Sequence, residues 1–160
     1  MSEFNIKYME KALELAREAF QDDEVPVGAV IVRNGEIVAT GRNRREKEKN
    51  ALLHAETDAI NNACKALGGW RLWNCDIYVT LEPCPMCAGA IINAHIPNVY
   101  FGAYDFKNGS CGTITNLFEM PYNFKPNCKG GIMQEECAEL LKSFFKRLRY
   151  CLLYTSPSPR

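Results

Sequence analysis

The 160-residue sequence predicts a layered α/β domain, a β-sheet covered by helices, and three observations lead there. An apolar repeat at spacings of three and four opens the chain, a hairpin signal follows, and strand–helix–strand alternation fills the middle. Ile6, Met9, Leu13, Ala16 and Phe20 carry the repeat and make an amphipathic first helix. Val25–Val32 and Ile37–Thr40 flank Asn34-Gly35, a pair that tolerates the positive φ angles of a tight hairpin, so they read as antiparallel strands. Residues 54–67 read as a helix stopped by Gly68-Gly69. Asp76–Leu81 is rich in β-formers, Cys84–Ala94 is helical, and Asn98–Ala103 is another strand. An irregular stretch rich in Gly and Asn comes next. Ile132–Tyr150 closes as a helix with Met133, Cys137, Leu140, Leu141, Phe144, Phe145 and Leu148 along one face. No internal repeat is present.

A chain of this length suits one domain and buries roughly two thirds of its unfolded surface, so it needs no disulfide staples. Its eight cysteines follow a start, Met1-Ser2-Glu3-Phe4, without the basic and apolar character of an export signal. They are therefore expected to be reduced thiols or metal ligands, in a soluble cytoplasmic protein. No apolar run approaches the roughly 20 residues of a membrane span. The formal net charge is zero, but it is unevenly spread. Residues 1–24 hold seven acids, residues 42–49 five bases against two acids, and residues 142–149 four bases and no acid. Two such basic segments could neutralise phosphates, or could simply be solvated faces. The last ten residues, CLLYTSPSPR, lose the helical period and carry Ser-Pro-Ser-Pro, which cannot extend a helix. They also read as a translated sequencing adapter. The expected division is a single folded domain at 1–150 and an artefactual or disordered tail at 151–160.

The chemistry sits at two helix starts. His54-Ala55-Glu56 opens one helix and Pro83-Cys84-Pro85-Met86-Cys87 opens the next. The 26 residues between Glu56 and Pro83 accommodate one helix, a turn and one strand, so both motifs can reach the same sheet edge. Cys-x-x-Cys at a helix N-terminus points two sulfurs at one place, and the helix dipole favours their thiolates. Imidazole and thiolate are ligands that zinc prefers, and three of them leave a coordination position for water. Glu56, two residues from His54, is placed to handle that water's protons. Taken alone, Cys-x-x-Cys also fits a redox pair or half of a structural zinc knuckle, and a lone histidine usually just packs. The combined H-x-E…P-C-x-x-C pattern is the signature of zinc deaminases of nucleobases.

Further segments narrow the resemblance. Glu24-Val25-Pro26-Val27-Gly28-Ala29-Val30, Gly41-Arg42-Asn43, the block Tyr78–Ala90, Phe101-Gly102-Ala103-Tyr104-Asp105 and the Glu135-Glu136-Cys137 helix resemble bacterial tRNA adenosine deaminases. The likeness covers roughly residues 5–149. It implies a three-layer α-β-α, cytidine-deaminase-like fold with a mixed five-stranded sheet, a homodimer, and a tRNA anticodon stem-loop as substrate. It makes His54, Cys84 and Cys87 ligands of Zn2+, Glu56 the catalytic proton shuttle, and Asn43 and Asp105 substrate-binding residues near a flipped base. The implied reaction is hydrolytic conversion of wobble adenosine to inosine by zinc-activated water. Phe124 stands where the family often has histidine, beside the expected RNA-binding side. Alternatives are a deaminase of free guanine or cytosine, and an inactive zinc protein that binds RNA as a partner subunit. The presence of Glu56 speaks against the inactive form.

Among the remaining residues, His95 reads as a helix-end residue and Cys64 and Cys137 as core. Cys75, Cys111 and Cys128 fall in loops with no assigned role. Trp70 and Trp73 are expected to anchor the chain beneath the active site.

Overall fold

A computed structural model describes residues 3–154. The first helix, α1, spans Ile6–Gln21 and starts where the Asn5 side chain accepts a hydrogen bond from Lys7 N, satisfying one of the donors a helix start leaves open. Met9, Leu13 and Ala16 lie on its buried face, whereas Ile6 is exposed. Strands β1 (Gly28–Arg33) and β2 (Glu36–Arg42) form the expected hairpin, turning through Asn34 and Gly35 with φ of 51° and 77°. A short helix α2 (Arg45–Glu48) precedes α3 (Ala55–Leu67), which ends where Gly68 takes a left-handed conformation, φ 74°. Strand β3 (Cys75–Leu81), helix α4 (Pro85–Ala94) and strand β4 (Asn98–Ala103) follow. A 3-10 turn at Leu117–Glu119, strand β5 (Asn127–Lys129) and helix α5 (Gln134–Tyr154) complete the described chain.

The five strands are ordered β2-β1-β3-β4-β5. β1 runs antiparallel to β2 and β3, and β3, β4 and β5 run parallel, so the sheet is mixed. Side chains alternate between the two faces of a strand, and each face here meets its own pair of helices. Ala29, Ile31, Ile77, Val79, Val99 and Phe101 pack with α3 and α4 through Ala55, Ala59, Ala63, Ala88 and Ile91. Val30, Val32, Tyr78 and Tyr100 face the other way, against α1 and α5 through Tyr8, Met9, Ala12, Leu13 and Cys137. The result is the expected three-layer α-β-α architecture.

Two glycines set how close the layers come. A Cβ on Gly41 would lie 2.3 Å from Ala55 O and 2.4 Å from Ala59 N, and one on Gly28 would lie 2.1 Å from Ala12 O. The helix backbones rest directly on the sheet at these points, and a methyl group would force them away.

Three short elements escape the residue pattern. Helix α2 buries none of its residues, so no apolar period marks it. The 3-10 turn and β5 span three residues each, too few to show a period. Helix α5 also continues past Tyr150 to Tyr154, with Cys151 and Leu152 exposed, so its end does not coincide with the expected change at residue 151. Residues 155–160 lie outside the described residues. Because the described part of this segment is exposed, deleting 151–160 is expected to move the melting temperature by no more than about 2 °C. A thermal melt by circular dichroism, run beside an activity assay, checks this.

Candidate metal centre and substrate cavity

The parallel β3–α4–β4 unit and the docking of α3 put two helix starts at one edge of the sheet. His54 occupies the N-cap of α3 and Cys84 the N-cap of α4, with Cys87 in the first turn behind Pro85. A proline costs nothing there, because its missing N–H lies among those a helix start leaves unpaired. The hydroxyl of Thr57 accepts from His54 N at 3.2 Å and donates to Leu52 O, so it holds the backbone of His54 in place. Thr57 thus faces the ligand's own main chain.

The ligand atoms of His54, Cys84 and Cys87 lie within 4.8 Å of one another. His54 Nδ1 is 3.5 Å from each of the two sulfurs. Tetrahedral zinc with bonds of about 2.05 Å to nitrogen and 2.3 Å to sulfur would separate the two atoms by about 3.6 Å. The three side chains therefore fit zinc by donor type and by spacing. Among the described residues they are the one such group of three His, Cys, Asp or Glu. His95 is not part of it: it caps α4 at the opposite end, with φ 60°.

Protonation follows the same geometry. Hydrogen bonding from the Cys87 thiol, and then from His54, pulls Cys84 down to about 4, far below an ordinary thiol. The bond to Cys84 raises His54, and Cys87 is pushed up by donating to Cys84 and by burial. Glu56 is buried on the first turn of α3 beside Cys87, and burial lifts its carboxyl to about 7. A carboxyl poised there can both accept and return a proton near neutrality.

These groups open onto a cavity of about 620 Å³, a volume suited to a nucleoside-sized ligand. His54, Glu56, Cys84, Asn43, Glu82 and Asp105 all line it. Asn43 is buried, and its Oδ1 accepts from Ala55 N at 2.8 Å. Asp58 clamps the residues on either side of Asn43, accepting from Arg42 N at 3.2 Å and from Arg44 Nη2 at 2.6 Å. Asp105 turns its own loop, with Oδ1 accepting from Lys107 N and Asn108 N at 3.0 and 3.1 Å. All six residues expected at the site thus meet at one cavity or in its metal cluster.

Phe106 and Lys107 are lining residues that carried no sequence signal. Arg45, Lys107 and Lys142 bring positive charge to the cavity, and Tyr104, Phe106 and Phe145 bring aromatic surface. Phe106 is 79% exposed. Of the basic segments, only parts reach this place. Arg42 pairs with Glu18 and Asp22, and Arg44 with Glu48 and Asp58. Arg147 pairs with Asp23 at 2.7 Å and lies over the Phe20 ring, so it ties α5 to the end of α1.

The tryptophans correct the sequence reading. Trp70 and Trp73 are 49% and 56% exposed, and the buried member of that segment is Leu72. Arg71 sits over both indoles, and His95 packs against both and against Phe124. This cluster lies at the far end of α4 from the cysteines and does not anchor the site from below. Both tryptophans precede β3, which begins two residues after Trp73. Phe124 belongs to this group of rings and is not among the cavity's lining residues.

A sequence model of the MafB19-like deaminase family matches residues 4–149. The chain is 48% identical over 143 residues to the tRNA-specific adenosine deaminase of Bacillus subtilis, spanning 89% of both proteins. A solved structure from a study of A-to-I editing by tRNA:A34 deaminases at the wobble position of transfer RNA superposes with a TM-score of 0.83. It is 42% identical and covers 85% of this chain and 99% of its own. Guanine deaminase from Nitrosomonas europaea, 22% identical over 90% of this chain and 86% of its own, gives 0.75 and shares the fold.

Removing a thiolate should remove the metal. Cys84→Ala and Cys87→Ala are each expected to purify with far less than one zinc per chain, measured by elemental analysis beside the parent protein. Chelation of the parent should abolish turnover, and added zinc should restore it.

Proposed function

This chain belongs to the bacterial tRNA-specific adenosine deaminases, and from that we propose that it hydrolyses wobble adenosine in a tRNA anticodon to inosine, releasing ammonia. One observation carries the chemistry: His54, Cys84 and the buried carboxyl of Glu56 line a single nucleoside-sized cavity, and Cys87 completes a set of three zinc-type ligands there. His54, Cys84 and Cys87 would hold zinc, which supplies a Lewis acid able to lower the pKa of a water molecule from 15.7 to about 7.

The chain's own residues do the rest. Glu56 takes a proton from the attacking water and passes it to N1 of adenine, then takes the hydroxyl proton of the C6 adduct and delivers it to the amino group, which leaves as ammonia. Burial suits it to this, because a carboxyl near 7 exists in both forms at neutral pH. Asn43 has its Oδ1 occupied by Ala55 N–H and offers its NH2 group to the base. Asp105 lines the same cavity, and the ring of Phe106 beside it supplies a face for a neighbouring base to stack on. Arg45, Lys107 and Lys142 are placed to meet the phosphates on either side of the flipped nucleotide. An unpaired loop base reaches such a pocket at lower cost than a paired one. The family resemblance further supports a homodimer, residues 1–150 as the working domain, and the cytoplasm as its compartment. Among the described residues no helix is long and apolar enough to cross a membrane.

Glu56→Ala is expected to keep its zinc and its melting curve while losing at least about 10²-fold in turnover. Near-parental turnover in that variant would remove Glu56 from the mechanism. The substrate assignment has its own test. An anticodon stem-loop with adenosine at the wobble position should give inosine far faster than free adenine, guanine, cytosine or cytidine is deaminated. Lys107→Glu with Lys142→Glu should weaken RNA binding, and the parent's affinity should fall steeply with salt. Rapid, salt-insensitive deamination of a free base with no inosine in RNA would reject the tRNA reading.

A further inference from the structure

Glu82 is the most heavily used buried carboxylate at the cavity, and no step above employs it. It lies just past the end of β3, two residues before Cys84, and is 1% exposed. Its Oε1 accepts from Asp105 N at 3.1 Å and from the Thr113 hydroxyl. Its Oε2 accepts from Cys111 N at 3.0 Å and Thr113 N at 3.1 Å. The loop from Asp105 to Thr113 therefore wraps around one carboxylate, and Gly109 presses on it so closely that a Cβ there would fall 2.5 Å from Glu82 Oε1. Ser110 N adds a bond to Pro83 O at 2.9 Å, on the same loop as the first cysteine.

We infer that Glu82 is a positioning residue for catalysis: it ties the substrate wall, Asp105 to Asn108, to the strand end that delivers the zinc ligand Cys84. The two halves of the site come from different parts of the chain, β3–α4 and the segment after β4. Alongside main-chain bonds and the packing of Cys111 and Phe118 in the core shared with α4, this carboxylate registers one against the other. An uncharged amide cannot replace it. Gln at this position would turn an NH2 group toward two donors, leaving buried N–H groups unpaired and moving the loop. The wall carrying Asp105 would shift against the rest of the cavity while the metal cluster kept its ligands. The inference rests on the proposed role of Asp105 at the substrate.

A double-mutant cycle tests it. Glu82→Gln, Asp105→Ala and the double variant are compared by zinc content, melting temperature, KM and kcat on an anticodon stem-loop with wobble adenosine. Glu82→Gln is expected to keep one zinc per chain and raise KM by about tenfold, with a smaller change in kcat. In the Asp105→Ala background the same change should cost less than about threefold, because the wall it positions no longer bears the contact. Thr113→Val, which removes one neutral donor, should act in the same direction by about threefold and be masked likewise. If Glu82→Gln does not fold, the Thr113→Val cycle decides alone. Penalties that multiply in the double variants, or a lowered melting temperature with unchanged KM, would overturn the positioning role. The parent chain in the same assay reports on the substrate reading by itself: no inosine rejects that reading and this role with it.

Discussion

The direct seating of helix α3 on the hairpin is the contact on which the rest of the site depends. At Gly41 the backbone of α3 comes within what would be bonding distance of a side chain, and Ala55, Ala59 and Ala63 keep the helix that low along its length. Its N-cap is His54 and its first turn carries Glu56, so the height of the helix above the sheet sets where a ligand and a proton carrier stand. Close packing transmits such constraints with little slack, because interiors are as dense as organic crystals. The same descent brings Ala55 N to Asn43 Oδ1, so the substrate wall is registered to the helix as well. Small residues, lacking any chemistry of their own, thus determine the geometry of the reactive ones.

Much of this was legible in the sequence, for physical reasons that differ from residue to residue. The hairpin at Asn34-Gly35 could be read because only a few residue types take positive φ at low cost. The placing of Cys84 and Cys87 at a helix start could be read because a proline after the first cysteine suits the first turn of a helix. Asn43 and Asp105 came from resemblance alone, since a single Asn or Asp has no spacing to betray it. Glu82 was invisible for the converse reason: its partners are main-chain N–H groups of a loop 23 to 31 residues away, which any sequence could supply. The tryptophan segment was misread because large apolar residues are usually buried, and nothing local showed that Leu72 alone would turn inward.

Charge illustrates a related limit. A count along the chain marks segments 42–49 and 142–149 as basic, but folding brings acids from α1 and α3 against Arg42, Arg44 and Arg147. Those pairs join helices and loops that are distant in sequence. Of the cations lining the cavity, Arg45 on α2 and Lys142 on α5 are what those segments leave for it, and Lys107 joins them from the loop after β4. A neutral protein can in this way present a locally positive mouth to a polyanion, with attraction confined to within a Debye length of about 8 Å at physiological salt.

Both tryptophans of the chain stand together at one end of α4, and Cys84 and Cys87 stand at the other. Ten helical residues put these ends about 15 Å apart. Ultraviolet emission from this protein therefore originates almost wholly in one exposed patch, where an arginine and a histidine touch both indole rings. Its colour and intensity follow anything that covers that patch. Events in the cavity reach it only through the body of the helix. The molecule carries a built-in optical probe for its outer face, one that distinguishes assembly from substrate entry without a label.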